Sequence, residues 1–334
     1  MSSIAIVGAG MAGLNAALTL QDANLACTVY EASGRVGGRI HSNADFWDNG
    51  MVSEWCGEFI DTEHETILEL VARFGLPLID LAGQRPTEER TTLYFGGRYY
   101  GEDELARDFL ACAPVLQQQF QQAGFPTTWT HYTQEGLRLD QISIYDWIER
   151  YVAGGHSTPL ARLLDTACTG FYGLPTHEQS ALNLVYMFAG RDATDGQIMS
   201  GPMRRSSKIV GGNERLPQAM AGSLPEECLR LHHQLVRLER TGEHALVLTF
   251  ATAAGFVEVP CEQVILALPF STLRHVDYQQ AGFDALKCLA IEELGYGTIS
   301  KLFLEFERPY WYEHGPWPQP GNGFIVTDLD AQTF

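Results

Sequence analysis

Ile4-Ala5-Ile6-Val7-Gly8-Ala9-Gly10-Met11-Ala12-Gly13-Leu14 sets an apolar run directly ahead of G-x-G-x-x-G. The run predicts a strand, residues 11–20 a helix, and residues 25–30 (Leu-Ala-Cys-Thr-Val-Tyr) a second strand ending in Glu31. Glu31 follows Gly8 by 23 positions (31 − 8). Strand, glycine turn, helix, strand and acid, in that order, make a dinucleotide-binding βαβ unit. Gly8 permits the tight turn, Gly10 lets backbone approach a pyrophosphate, and Gly13 lets the helix pack closely on the strand. The helix N-terminus offers N–H groups and a positive dipole end to the phosphates. Glu31 offers acceptors to a ribose diol. Ala12 and Ala32, beside the turn and the acid, belong to the same expected contact set.

The residues after Glu31 bear on which dinucleotide it is. Gly34-Arg35-Val36-Gly37-Gly38-Arg39 follows the ribose acid at once. Arg35 and Arg39 supply charge for an anion, and the paired glycines allow close backbone approach, Gly38 foremost. With these two motifs the chain resembles the flavin amine oxidase family, which includes monoamine, polyamine and L-amino-acid oxidases. Nicotinamide dehydrogenases do not usually carry this second motif so close. The resemblance therefore implies FAD as cofactor, and a Rossmann-like FAD-binding domain interleaved with an α+β substrate domain.

Composition sets limits. The 334 residues suffice for a large core or two domains, and 45% of them are apolar, as in a globular protein. No apolar run reaches membrane-spanning length, and the first strand begins too early to leave room for a signal peptide. The seven cysteines (27, 56, 112, 168, 228, 261, 288) are scattered, with no C-x-x-C and no histidine cluster. Neither a zinc site nor a disulfide framework is expected, and a reducing cytoplasm is the simplest location. The net charge of −19 argues against nucleic acid and anionic membranes as partners and slightly favours cationic ligands.

Residues 63–74 carry helical periodicity and stop at Gly75 and Pro77. Tyr94-Phe95-Gly96-Gly97-Arg98-Tyr99-Tyr100 is a hairpin signal. Helices are expected near 102–123, 143–152, 158–168 and 178–189. Strands are expected over 228–239, 245–250 and 256–267. The domain reading is discontinuous: 1–80 and 201–290 bind FAD, while 81–200 and 291–334 form an incomplete substrate domain.

By resemblance, Gly211-Gly212-Asn213-Glu214-Arg215-Leu216-Pro217 is similar to the family's GG-x-x-x-LP segment. Val236 matches the strand position that supports the adenine end, and Ala267-Leu268-Pro269 a strand end near the cofactor. The segment around Lys301, read as a strand and followed by Phe306 and Trp311, resembles the family's K-x-x-x-x-F…W pattern. In many members that lysine holds a water near flavin N5, and the resemblance gives Lys301 the catalytic place. Residues 50–61 occupy the segment that passes below the flavin. Relatives often carry D-x-G-x-x-W/Y there, whereas this chain has Glu54-Trp55-Cys56-Gly57-Glu58-Phe59. Gly57 and Glu58 are expected near the cofactor. Phe59-Ile60-Asp61 stand where several L-amino-acid oxidases place a carboxylate-clamping arginine. Glu54, Glu58, Phe59 and Asp61 are candidate substrate contacts, with Arg204 and Arg205 as an alternative carboxylate clamp.

Family members usually run longer, and the part that returns to complete the FAD domain is expected beyond Phe334. The implied activity is oxidation of an amine or L-amino acid by hydride transfer to flavin N5, giving an imine and, with O2, hydrogen peroxide. A flavin desaturase or monooxygenase on a non-amine substrate is the alternative enzyme. A non-catalytic FAD-binding fragment that needs a second chain for the C-terminal part is the alternative outside enzymes. A homo-oligomer stays open.

Overall fold

The computed structural model describes residues 3–47, 50–81, 91–189, 206–315, 317, 318, 320, 321 and 324–329. The chain divides into two compact units, Met1–Ala82 with Arg205–Gly295, and Gly83–Arg204 with Tyr296–Phe334.

In the first unit, strand β1 (Ile4–Val7), helix α1 (Met11–Asp22) and strand β2 (Cys27–Tyr30) follow one another as the motif requires. They belong to a four-stranded parallel sheet in the order Leu229–Arg230, β2, β1, Gln263–Leu266. Side chains alternate along a strand. Ile6 therefore faces one core with Val29 and with Leu14, Ala17 and Leu18 of α1. Ala5 and Val7 face another, with Leu248, Phe250 and Ile291. Burial on both faces is the reason β1 reads as a continuous apolar run rather than an alternation. Each fully buried leucine of α1 contributes roughly 1.5–3 kcal/mol.

A separate antiparallel sheet joins Gln234–Gly242, Ala245–Thr252 and Gly255–Cys261. Here two sequence expectations are corrected. The stretch 228–239 is two strands in two sheets, broken at Leu231–His233, where His232 takes a left-handed φ of 58°. The stretch 256–267 also divides, at Glu262, whose N–H donates to Ser3 O at 3.0 Å as the chain joins β1. Short polar interruptions, His232-His233-Gln234 and Glu262-Gln263, mark the two breaks, and the apolar residues on either side of each merge when the stretch is read as one.

The second unit is mostly helical. Glu102–Ala123, Gln134–Asp140, Ile144–Tyr151, Pro159–Tyr172 and Ala181–Phe188 pack around buried Phe109, Trp147, Leu163 and Phe188. Helix starts follow the capping rule: Ser143 Oγ accepts from Asp146 N at 3.0 Å, and Thr158 Oγ1 accepts from Ala161 N ahead of Pro159. The helix Gln134–Asp140 is too short for its periodicity to be read in sequence. The Gly96–Gly97 hairpin forms, with φ of 60° and 79°, and Ile325–Thr327 adds in parallel to Thr92–Phe95. The expected strand around Lys301 does not form: residues 295–306 carry no strand among the described residues. The alternation Lys301-Leu302-Phe303-Leu304-Glu305-Phe306 suits a strand, but a strand also needs a neighbour at ladder distance.

Candidate cofactor site

The glycines of the first motif do different work. Gly8 has φ +103°, and a Cβ there would lie 2.8 Å from Ala267 O. Its N–H donates to Tyr30 O at 2.8 Å, while Ala267 N donates to Val7 O at 2.9 Å. The turn is thus wedged between the ends of β2 and the strand before Ala267. A Cβ on Gly13 would come 1.8 Å from Gly8 O, so helix and turn touch there. At Gly10 the nearest atom to an added Cβ is Gly38 Cα at 3.9 Å. Nothing in the unit itself forbids a side chain at Gly10. Its bareness leaves space in front of α1, whose first turn has no side-chain cap. The two loops are joined by Gly37 N donating to Ala9 O at 2.8 Å. Gly38, at φ +57°, faces Gly10 across this junction. An uncapped helix start behind two facing glycines suits a pyrophosphate.

Glu31 braces the same turn. Its Oε2 accepts from Ala9 N at 2.8 Å, and its Oε1 from Ser33 N at 2.9 Å. Ser33 Oγ lies 2.8 Å from both Glu31 Oε1 and Arg35 O and has one proton to give. Oε2, whose one partner here is Ala9 N, keeps a lone pair for a ribose hydroxyl whichever way that proton points. Ala32 is exposed beside it. Arg35 turns inward and donates to Val36 O, Gly38 O and Ile40 O at 3.2, 2.7 and 3.3 Å. It therefore shapes the loop, while Arg39 is exposed. Val236 is the extra residue of a β-bulge between Leu235↔Phe250 and Arg237↔Thr249, and its carbonyl accepts from Asp277 N at 2.9 Å.

The segment 41–61 is tied to the loop at 211–214. Glu54 is 1% exposed; it accepts from Asn213 N at 2.8 Å and from Ser42 Oγ at 2.8 Å. Ser42 N and Glu214 Oε2 pair at 3.0 Å, as do Glu214 N and Ser42 Oγ. Gly212, at φ +107°, is required because a Cβ would meet Ser42 Oγ at 2.6 Å. The Asn213 side chain accepts from Ile209 N and donates to Gly57 O and Glu58 O.

The structure places the substrate candidates as follows. Glu54 is buried in this framework, and its carboxylate is not offered to a substrate ammonium. Glu58 pairs with Lys208 at 2.6 Å, and the Lys208 ammonium lies 5.3 Å from the Phe59 ring centre. Asp61 Oδ1 accepts from Ser206 Oγ. Phe59 and Gly57 are exposed. Arg204 and Arg205 lie outside the described residues. Lys301 belongs to the second unit, is exposed, and stands 5.8 Å from the Phe303 ring centre.

Ser42, Lys208, Asn213 and Glu214 were not among the sequence candidates. Asn213 has a local signal, a polar residue between paired glycines and a helix. The partnership of Lys208 with Glu58, 150 positions apart, has none. Among the described residues no cluster of three or more His, Cys, Asp or Glu could hold a metal ion, and no helix is long and apolar enough to cross a membrane.

A sequence profile described as flavin containing amine oxidoreductase matches residues 11–332. Putrescine oxidase of Kocuria rosea is 23% identical over 343 residues, covering 99% of this chain and 69% of that protein. A putative L-amino-acid oxidase of Bacillus subtilis is 25% identical, with 98% and 67% covered. The L-amino-acid oxidase of Gloydius blomhoffii is 24% identical, with 98% and 63% covered. The chain thus spans about two thirds of these relatives' length. Among solved structures, wild-type putrescine oxidase bound to putrescine superimposes with a TM-score of 0.74 at 21% identity, covering 99% of this chain and 71% of that one. Cyclohexylamine oxidase of Brevibacterium oxydans gives 0.66 at 20% identity, covering 83% and 60%. At these identities the structures establish the shared two-domain fold.

Proposed function

We propose, from the premise that this chain belongs to the family of flavin-containing amine oxidoreductases, that it oxidises a small amine or L-amino acid with FAD as cofactor and O2 as final electron acceptor. The observation that carries the reading is the uncapped start of α1 behind Gly10 and Gly38, with Glu31 beside it. When bound, FAD supplies a two-electron acceptor for the hydride on the substrate's α-carbon and passes those electrons to O2, so that amine and O2 become imine and hydrogen peroxide.

The chain's own residues do the holding. α1 and Arg39 take the pyrophosphate, Glu31 the ribose, and Arg35 keeps the loop 36–40 in shape. Asn213 and Glu54 fix the segment carrying Gly57 and Glu58. In this reading Lys301 holds a water or donor at the reacting atoms. The names of the relatives cover both an amine and amino acids, and Phe59-Ile60-Asp61 in place of an arginine supports the amine. The length those relatives have beyond this chain, in the same polypeptide or a second one, is part of the requirement for full turnover.

The test is a titration of the purified chain with FAD, followed by peroxide release with putrescine, ornithine and leucine. Saturable quenching of flavin fluorescence is expected, and with the full-length enzyme the diamine should react fastest. No FAD binding at all would sink the reading. Oxidation of leucine alone would remove the amine preference.

A further inference from the structure

Two loops of the first unit cross beside Glu31. β2 and Leu229–Arg230 are paired strands, and the chains stay hydrogen-bonded beyond their ends. Glu31 N donates to Arg230 O at 2.9 Å, His233 N to Glu31 O at 2.8 Å, and His232 N to Ser33 O at 3.1 Å. His233 anchors the crossing. Its ring centre lies 5.7 Å from that of Tyr30 and 5.9 Å from that of Phe250, and its Nδ1 is 2.7 Å from Leu231 O. His232, at φ 58°, lays its exposed ring on Gly34.

Gly34 and His232 explain each other. The φ of Gly34 lies outside the left-handed region, so its backbone would accept alanine. A Cβ there would meet His232 Cε1 at 2.7 Å and Nε2 at 3.2 Å, and the three atoms nearest to it all belong to that ring. The bare Cα is what lets the imidazole close on the loop. A left-handed φ is uncommon outside glycine, and histidine is among the few residues that take it readily.

Gly34 also joins two working parts of the cofactor site. On one side Ser33 N donates to Glu31 Oε1 at 2.9 Å. On the other, Arg35 donates to the carbonyls of Val36, Gly38 and Ile40 and so shapes the loop that faces Gly10. A ring seated on the joint fixes the two parts relative to each other before any ligand arrives. Order present beforehand need not be imposed during binding, which leaves more of the contact energy as affinity.

We propose, resting on the reading of FAD as cofactor, that His232 is a positioning residue for it. The imidazole locks the turn Ser33–Arg35, so that the Glu31 carboxylate and the loop 36–40 stand ready for ribose and pyrophosphate. His232 acts through Glu31 and the loop and takes no part in the oxidation itself.

His232→Gly removes the ring and takes the left-handed φ without strain, so the variant should melt close to the parent. FAD titrated into the full chain should bind it about three- to tenfold more weakly, the scale of ordering one or two side chains on binding. Gly34→Ala, which evicts the ring, should cost the same factor. The double variant should cost no more than either single one, because ring and methyl group compete for one space. In the FAD-free chain the Ser33 amide, followed by NMR, should exchange about three- to tenfold faster in both single variants. Gly34→Ala keeps both readouts should His232→Gly fail to fold. Parent-like FAD affinity in a folded single variant overturns the proposal. So do losses that add in the double variant, or unchanged exchange at Ser33. A parent that binds no FAD while Ser33 exchange still responds sinks the cofactor reading and leaves the lock on Glu31 supported.

Discussion

Gly10 and Gly13 stand three residues apart, and a methyl group added to each meets opposite surroundings. At Gly13 the methyl carbon would fall 1.8 Å from Gly8 O, a contact that only backbone movement can relieve. Gly13→Ala should therefore destabilise the first unit by about 1–3 kcal/mol or more, the range of overpacking, read as a lower melting temperature without any cofactor. Gly10 has φ −75° and ψ −178°, which alanine adopts without strain, and no protein atom within 3.4 Å of the new carbon. Gly10→Ala should melt like the parent and yet bind FAD at least tenfold more weakly. Equal FAD affinity in Gly10→Ala would remove the pyrophosphate from the front of α1. Lys301→Met belongs to the same scale. It keeps the length of the side chain and removes the donor, so flavin reduction or reoxidation in the full-length enzyme should slow by ~10- to 1,000-fold. FAD affinity should stay within about twofold. Unchanged rates in both half-reactions would exclude Lys301 from the reaction centre.

Elements are held by pairs the sequence does not announce. Asp328, just past the strand Ile325–Thr327, receives Arg162 at 2.7 Å and the N–H of Gly96 at 3.1 Å. Burial alone would raise its carboxyl, but the Arg162 guanidinium and the Gly96 N–H outweigh it and hold it below the usual aspartate range. A depressed folded-state value stabilises the folded form above the unfolded pKa, near 3.9, and that stabilisation is lost as pH falls through the folded value. The wild-type second unit should thus lose about 1 kcal/mol below pH ~4 that Asp328→Asn has already lost at neutral pH. Parallel acid-unfolding curves for the two proteins would refute this. The same contrast explains what was legible. β1, α1, β2 and Glu31 were readable because turn, helix start and acid lie within about thirty residues. The Gly96–Gly97 hairpin and the capped helices were readable for the same local reason. The split of 228–239 was not, because the left-handed turn at His232 is taken by a residue that is not glycine, and the three polar residues His232-His233-Gln234 do not spell a turn. Nor was the inward turn of Glu54, since its partners come from Ser42 and Asn213, the latter 159 positions away. The missing strand at Lys301 belongs here too, because alternation reports the side-chain faces and says nothing about a pairing neighbour.

At the scale of the molecule, each unit is assembled from two separated stretches of chain yet owns a closed core. The clusters around Ile6 with Leu14 and around Leu248 with Phe250 draw only on residues of the first unit. The cluster around Phe109, Trp147 and Phe188 draws only on the second. All the groups proposed to hold the pyrophosphate and ribose, from Gly8 to Arg39, belong to the first. A ligand that binds only the folded form stabilises whatever cooperative unit forms its site. At a hundred times its dissociation constant the gain is about 2.7 kcal/mol, or about a hundredfold in the opening equilibrium. FAD should therefore slow hydrogen exchange of core amides such as Ile6 and Val29 about a hundredfold. Amides of Trp147 and Leu163 should change by less than about threefold, because their burial does not depend on the site. Peptide-resolved exchange with and without FAD reads both at once. Equal protection in both sets would mean that the two cores open as one cooperative body. Protection confined to the second set would move the cofactor site out of the first unit, and with it the assignments of Gly10, Glu31 and Arg39.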